Sequence, residues 1–233
     1  MIPVETAPGP DALAALAALA ADRVAAQAEQ AVRERGRFTL AVSGGSTPVR
    51  MFDALAERKL PWEAVHVFQV DERVAPDGHP DRNYTDLAVH LLDRVPIPPG
   101  NVHPMPVTAD DLEEAARVYA ADLAEVTGDG VLDLVHLGLG DDGHTASWPP
   151  GDPVADAGGP DDPDVAVVGP FNGRLRMTLT PRAVNRARSI LWLVDGAAKA
   201  PVLARLLAGD PGIPASRVRR DRAVVLVGSD AAG

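Results

Sequence analysis

Residues 138–147, GLGDDGHTAS, set one imidazole among three glycines and two carboxylates. An imidazole titrates near neutral pH and can take a proton from water as a general base. Asp141 or Asp142 is near enough along the chain to orient that ring. His144 is therefore the leading catalytic candidate, and the other five of the six histidines have no comparable surroundings. A lone histidine more often serves packing or solvent contact; its glycine and carboxylate setting separates His144 from that background. No metal is expected, because neither an HExxH pair nor a second histidine at ligand spacing occurs. Ser147 lies outside a GxSxG turn and is not read as a nucleophile.

Three further clusters carry charge or small residues where chemistry needs them. SGGSTP, residues 43–48, places Ser43, Gly44, Gly45, Ser46 and Thr47 between an apolar run and a helix start. Small residues let backbone N–H groups approach an anion, and a helix N-terminus adds partial positive charge. The same segment also suits a plain glycine turn with a hydroxyl cap. It is neither GxGxxG nor GxxxxGK[ST], so it does not indicate a dinucleotide or ATP. Asp71-Glu72-Arg73 ends an otherwise apolar run, where charges are costly unless paired or used; Arg73 could grip a phosphate or an oxyanion. Asn83 caps a following helix or faces the same cleft. Lys199, one of only two lysines in the chain, stands at a helix start, where an anionic ligand would offset the unfavourable dipole.

These clusters need a scaffold, and the apolar patterning supplies one. Pro10 and Asp11 start a long amphipathic helix running from Leu13 to Val32 and stopped by Gly36. Apolar β-prone runs at 38–42, 65–70, 131–139, 175–180, 189–194 and 223–227 read as strands. Helices are expected from Thr47 to Glu57, Tyr84 to Leu92 and Ala197 to Leu207. Strands alternating with helices predict an α/β fold: a three-layer sandwich around a mostly parallel, Rossmann-like sheet, with ligands beyond the carboxyl ends of its strands. Residues 149–164 read as a flexible acidic loop.

Composition narrows the function classes. The 233 residues carry 22 Lys+Arg against 33 Asp+Glu, a net charge of −11, which argues against a nucleic-acid partner. There is no cysteine, so disulfides, thiolate metal sites and thiol nucleophiles are excluded. The apolar run at 12–21 follows acidic residues and stops at Asp22, about half the length of a membrane span. A cytoplasmic protein with no membrane partner is expected, acting as a monomer or small homo-oligomer.

Taken in order, SGGSTP, DER with a later Asn83-Tyr84, GxGxDGHTAS, RMTLT at 176–180 and GAAKA at 196–200 resemble the 6-phosphogluconolactonase family. The resemblance runs from about Phe38 to Val227, and one domain over 1–233 is expected. It implies a fold shared with glucosamine-6-phosphate deaminases. It also implies hydrolysis of 6-phospho-D-glucono-1,5-lactone to 6-phospho-D-gluconate in the oxidative pentose phosphate pathway, with no cofactor. By the same resemblance His144 is the general base, Asp142 helps orient the site, and Arg73 meets phosphate or oxyanion. Ser43, Gly44, Gly45, Ser46, Thr47, Asp71, Asn83 and Lys199 complete the expected substrate site.

The chain also departs from the family pattern. Trp148-Pro149-Pro150 replaces the usual Leu-Phe-Pro, and Gly169-Pro170-Phe171-Asn172-Gly173 replaces Ser-Pro-Lys-Pro-Pro. A frequent lysine is thereby absent, which bears on substrate affinity, and no function is assigned to Phe171. Arg82 stands where a serine is usual, as an added basic contact or a solvent-facing residue. Two alternatives compete. A glucosamine-6-phosphate deaminase needs a glutamate five residues after the histidine, where this chain has Pro149. A non-catalytic sugar-phosphate-binding protein would be marked by loss of the base, yet His144 is present.

Overall fold

Asp11 opens the first helix by accepting a hydrogen bond from the Ala14 N–H, and Gly36 closes it in the left-handed conformation that glycine adopts without strain. The computed structural model describes residues 1–7 and 11–231, so the helix start anticipated at Pro10 lies outside the described residues. In chain order the elements are β1 (Val4–Thr6), α1 (Ala12–Arg35), β2 (Phe38–Val42), α2 (Ser46–Ala56), β3 (Val65–Gln69), β4 (Asp71–Arg73), α3 (Asn83–His90) and β5 (Val102–His103). There follow α4 (Leu112–Thr127), β6 (Leu134–Gly138), β7 (Val165–Phe171), β8 (Arg174–Leu179), α5 (Pro181–Arg186), β9 (Ser189–Val194), α6 (Ala200–Ala208) and β10 (Ala223–Val227).

Seven strands form one sheet in the order β1-β10-β9-β6-β2-β3-β5, every pair parallel. All five residues of β2 and of β10 are buried, as strands covered on both faces must be. On one face Leu16, Val24, Phe52, Leu55 and Leu87 bring α1, α2 and α3 onto the sheet. On the other, Tyr119, Leu123, Val184 and Leu203 do the same for α4, α5 and α6. These are the three layers expected of the patterning. Among the described residues no helix is long and apolar enough to cross a membrane.

Two expectations change. Asp71-Glu72-Arg73, expected only as the charged end of an apolar run, is a strand of its own, β4, and the run at 175–180 leaves the parallel sheet to pair with it. Together β4, β8 and β7 make a second, antiparallel sheet. The cause is local: Asn172 and Gly173 both take positive φ, the geometry of a tight hairpin, which returns β8 antiparallel along β7. The segment 149–164 is anchored rather than loose. A short 3₁₀ turn at Pro153–Asp156 buries Val154 and Ala155, and the Pro163 carbonyl accepts from the Thr180 hydroxyl at 2.7 Å.

Candidate active site

Chain order along the large sheet reverses between β2 and β6, and in such sheets the crevice opens at the carboxyl ends of the strands flanking that reversal. A cavity of about 270 Å³ lies there. Its walls come from the turns after β2, β6 and β9, with Asp71 from beyond β3. Ser43, Gly44, Gly45, Ser46, Thr47, Asp71, His144 and Lys199 all line it. Segments more than 150 residues apart thus meet because β2, β6 and β9 are neighbours.

The turn after β6 is built around the imidazole. The Gly140 N–H donates to the His144 carbonyl at 2.8 Å, and the Gly143 N–H to the Gly140 carbonyl at 3.0 Å. A Cβ on Gly140 would overlap His144 Nδ1, so only glycine fits there. Asp142 Oδ1 accepts from the His144 N–H at 3.0 Å and lies 2.5 Å from Nδ1. That carboxylate assigns the ring proton to Nδ1 and leaves the Nε2 lone pair free, the form a general base requires. Partial burial pushes the Asp142 carboxyl up, but the His144 backbone and ring hydrogen bonds prevail and hold it below its ordinary value. Asp141 does not touch the ring; its Oδ1 pairs with Lys199 Nζ at 2.6 Å.

Opposite the imidazole, α2 begins at Ser46 with Gly45 as its cap. The first amides of a helix have no partner within it, and here they belong to residues that line the cavity. Asn83 does not line it. Instead it backs the loop: a Cβ on Gly44 would overlap the Asn83 side chain, and Asn83 Nδ2 donates to the Asp71 carbonyl at 2.8 Å. Ser43 is tied from below, its hydroxyl donating to the His136 carbonyl at 3.0 Å and its N–H to His136 Nδ1 at 3.3 Å. Full burial drives the His136 pKa down to about 3, so the ring under this loop is neutral.

The two carboxylates of β4 are satisfied, as their setting demands, while the Arg73 side chain bonds to a backbone carbonyl. Glu72 is fully buried and accepts from the N–H groups of Arg73, Asn83 and Tyr84 and from Gln69 Nε2. It thereby caps α3 and pairs with Arg82 Nε at 3.0 Å. Arg82 is therefore an internal residue, neither a contact in the cleft nor solvent-facing. Asp71 is buried too, which pushes its carboxyl up; Ser147 Oγ donates to it at 2.7 Å. Arg73 does not line the cavity. Its Nη1 donates to the Asp81 carbonyl at 2.8 Å.

Sequence reasoning overlooked Glu72 as the residue joining β4 to α3, although a carboxylate within an apolar run signals such a buried cap. It weighed Ser147 only as a nucleophile, and overlooked Asp195 and Arg176. Asp195 lines the cavity directly after β9, and Ser147 holds the Asp71 carboxylate. Among the described residues no group of three or more His, Cys, Asp or Glu side chains is arranged to hold a metal ion.

The family model described as glucosamine-6-phosphate isomerases/6-phosphogluconolactonase matches residues 11–227. A 6-phosphogluconolactonase of Synechocystis is 44% identical over 184 residues, covering 77% of this chain and 75% of that protein. The solved structure of 6-phosphogluconolactonase from Trypanosoma brucei superposes with a TM-score of 0.86 at 26% identity, covering 100% of this chain and 98% of that one. A monomeric glucosamine-6-phosphate deaminase superposes with a TM-score of 0.81 at 20% identity, covering 99% of each chain, a likeness of fold.

Proposed function

The chain belongs to the glucosamine-6-phosphate isomerase/6-phosphogluconolactonase family, and on that premise we propose that it hydrolyses 6-phospho-D-glucono-1,5-lactone to 6-phospho-D-gluconate in the oxidative pentose phosphate pathway. One observation supports the reading: a single cavity is lined by His144, whose Nδ1 is engaged by Asp142, by Lys199 and by the residues that open α2.

His144 Nε2 takes a proton from water as the water oxygen bonds to the lactone carbonyl carbon. The tetrahedral oxyanion then collapses, the bond from that carbon to the ring oxygen breaks, and the imidazolium returns its proton to the ring oxygen. Asp142 keeps Nδ1 protonated throughout and stabilises the imidazolium. Lys199 and the amides of Gly44 to Thr47 hold the phosphate. Arg73 joins them, or faces the oxyanion, by exchanging the Asp81 carbonyl for a substrate oxygen. Asp71 offers an acceptor to the sugar, and Asn83 and Ser43 keep the phosphate loop in shape. The reaction needs no cofactor and no metal.

The deaminase alternative is not favoured, because Pro149 cannot move the second proton that ring opening and isomerisation require. The reading carries with it a cytoplasmic location and action as a monomer or small homo-oligomer on one small sugar phosphate. The net charge of −11 is consistent with the absence of a polyanionic partner. The test is lactone hydrolysis by purified protein, followed by acid release and corrected for the spontaneous reaction. Acceleration that disappears in His144→Asn is expected; a wild-type rate no faster than buffer refutes the proposal.

A further inference from the structure

The β7–β8 hairpin ends beside the imidazole. Phe171, the last residue of β7, meets the His144 ring edge to face, with centroids 5.0 Å apart and planes at 81°. Phe171 is itself held twice by one side chain. Arg176, more than nine-tenths buried in β8, places its guanidinium carbon 5.3 Å from the Phe171 ring centroid. Its Nε and Nη2 donate to the Phe171 carbonyl at 3.3 and 3.2 Å. Its Nη1 lies 3.9 Å from Asp71 Oδ2, on the far wall of the cavity. A continuous set of contacts therefore runs from Asp71 through Arg176 and Phe171 to His144.

An imidazole has two side-chain torsions, and the Asp142 contact fixes only the Nδ1 corner. The ring remains able to swing about that corner, carrying Nε2 toward or away from a substrate carbonyl. A flat ring packed against the imidazole removes this freedom, because the preferred edge-to-face arrangement of two aromatic rings defines a plane as well as a distance. The planar fork of Arg176 fixes Phe171 in turn, gripping its backbone and its ring together. Proton transfer needs its partners aligned, and a displacement of about 1 Å costs up to about a hundredfold in rate.

We propose that Phe171, locked by Arg176, is a positioning residue that keeps His144 Nε2 aimed at the lactone carbonyl. This rests on His144 being the base, so the test includes His144→Asn as a control for that assignment. The variants are Phe171→Ala, Phe171→Leu, Phe171→Tyr and Arg176→Lys, each assayed for kcat, KM and 6-phosphogluconate affinity, with thermal stability measured alongside. Phe171→Ala is expected to lose about ten- to a hundredfold in kcat with KM and product affinity nearly unchanged. Phe171→Tyr restores the rate by returning a flat ring, whereas Phe171→Leu, which returns only bulk, does not. Arg176→Lys keeps the charge but loses the fork and falls with Phe171→Ala. The double variant Phe171→Ala with Arg176→Lys, assayed beside them, is no slower in kcat than Phe171→Ala alone, because the two residues act as one unit.

Wild-type kcat in Phe171→Ala overturns the inference while leaving the function intact, provided His144→Asn is inactive. Full recovery in Phe171→Leu, or a rate that only follows thermal stability, reduces Phe171 to packing and also overturns it. An active His144→Asn removes the base assignment itself.

Discussion

Lys199 Nζ and Asp141 Oδ1 lie 2.6 Å apart, an ion pair that joins the turn after β9 to the turn after β6 at the edge of the cavity. Asp141 is mostly exposed, and pairs of this kind are worth little in water, so a phosphate can displace the carboxylate at small cost. Once displaced, Asp141 still repels the anion. Asp141→Asn should therefore tighten 6-phosphogluconate binding several-fold. Lys199→Ala should weaken it about ten- to a hundredfold, the loss of one charge-assisted contact. Titration calorimetry at two salt concentrations checks both, with smaller effects at the higher salt. Weaker binding in Asp141→Asn would show that the carboxylate assists the ligand.

His144→Asn should lose about 10² to 10⁴ in hydrolysis rate while retaining product binding. Asp142→Ala should lose rate as well, since the Nδ1 proton then has no fixed acceptor. Asp142 is held below the ordinary carboxylate range, so it stays ionised and keeps its hold on Nδ1 into mildly acid solution. Chelator should leave the rate unchanged. A pH–rate profile of wild type and Asp142→Ala, run with and without EDTA, decides these points.

Asp71 is expected to oppose stability. Its folded pKa is raised by burial, so the folded protein holds this proton more tightly than the unfolded chain does. Stability from this group is present below the ordinary carboxylate pKa and is lost as pH rises through the folded value. Asp71→Asn should thus melt higher than wild type at pH 8, with the gap narrowing toward pH 4, and should hydrolyse lactone more slowly. Melting curves at the two pH values test the sign.

His136 acts in the other direction. Its folded pKa of about 3 lies below the unfolded value, so the unfolded chain binds the proton first, and stability is lost as pH falls from about 6.5 toward 3. His136→Gln should flatten acid denaturation over that window. The phosphate loop rests on this ring, so 6-phosphogluconate affinity should also drop in the variant. An unchanged acid midpoint would show that His136 does not govern acid unfolding.

The central scaffold was legible because β2, β9 and β10 are unbroken apolar runs ended by glycine, serine or charge; their bounds agree with the sequence expectation residue for residue. The two-residue β5 and the three-residue β1 carry too little pattern to be seen. The small sheet was hidden for a different reason: β4 is made of charged residues, whose partners, Ser147 for Asp71 and the α3 amides for Glu72, lie outside the strand. The histidine and the glycine loops stood out by composition. The paths of Asn83 and Arg73 did not, because both depend on how the chain between β4 and α3 folds back on β4, where Asp81 takes the Arg73 side chain and Asp71 takes that of Asn83.

Val70, the single residue between β3 and β4, donates its N–H to the Val42 carbonyl in the large sheet and accepts the Leu179 N–H in the small one, at 2.9 and 2.7 Å. One residue is thus stitched into both sheets, next to Asp71. Sliding the small sheet along the large one would break both of these backbone bonds, so the two sheets are held in register with each other at Val70. Asp71, the next residue, thereby enters the cavity wall from a junction that both sheets hold.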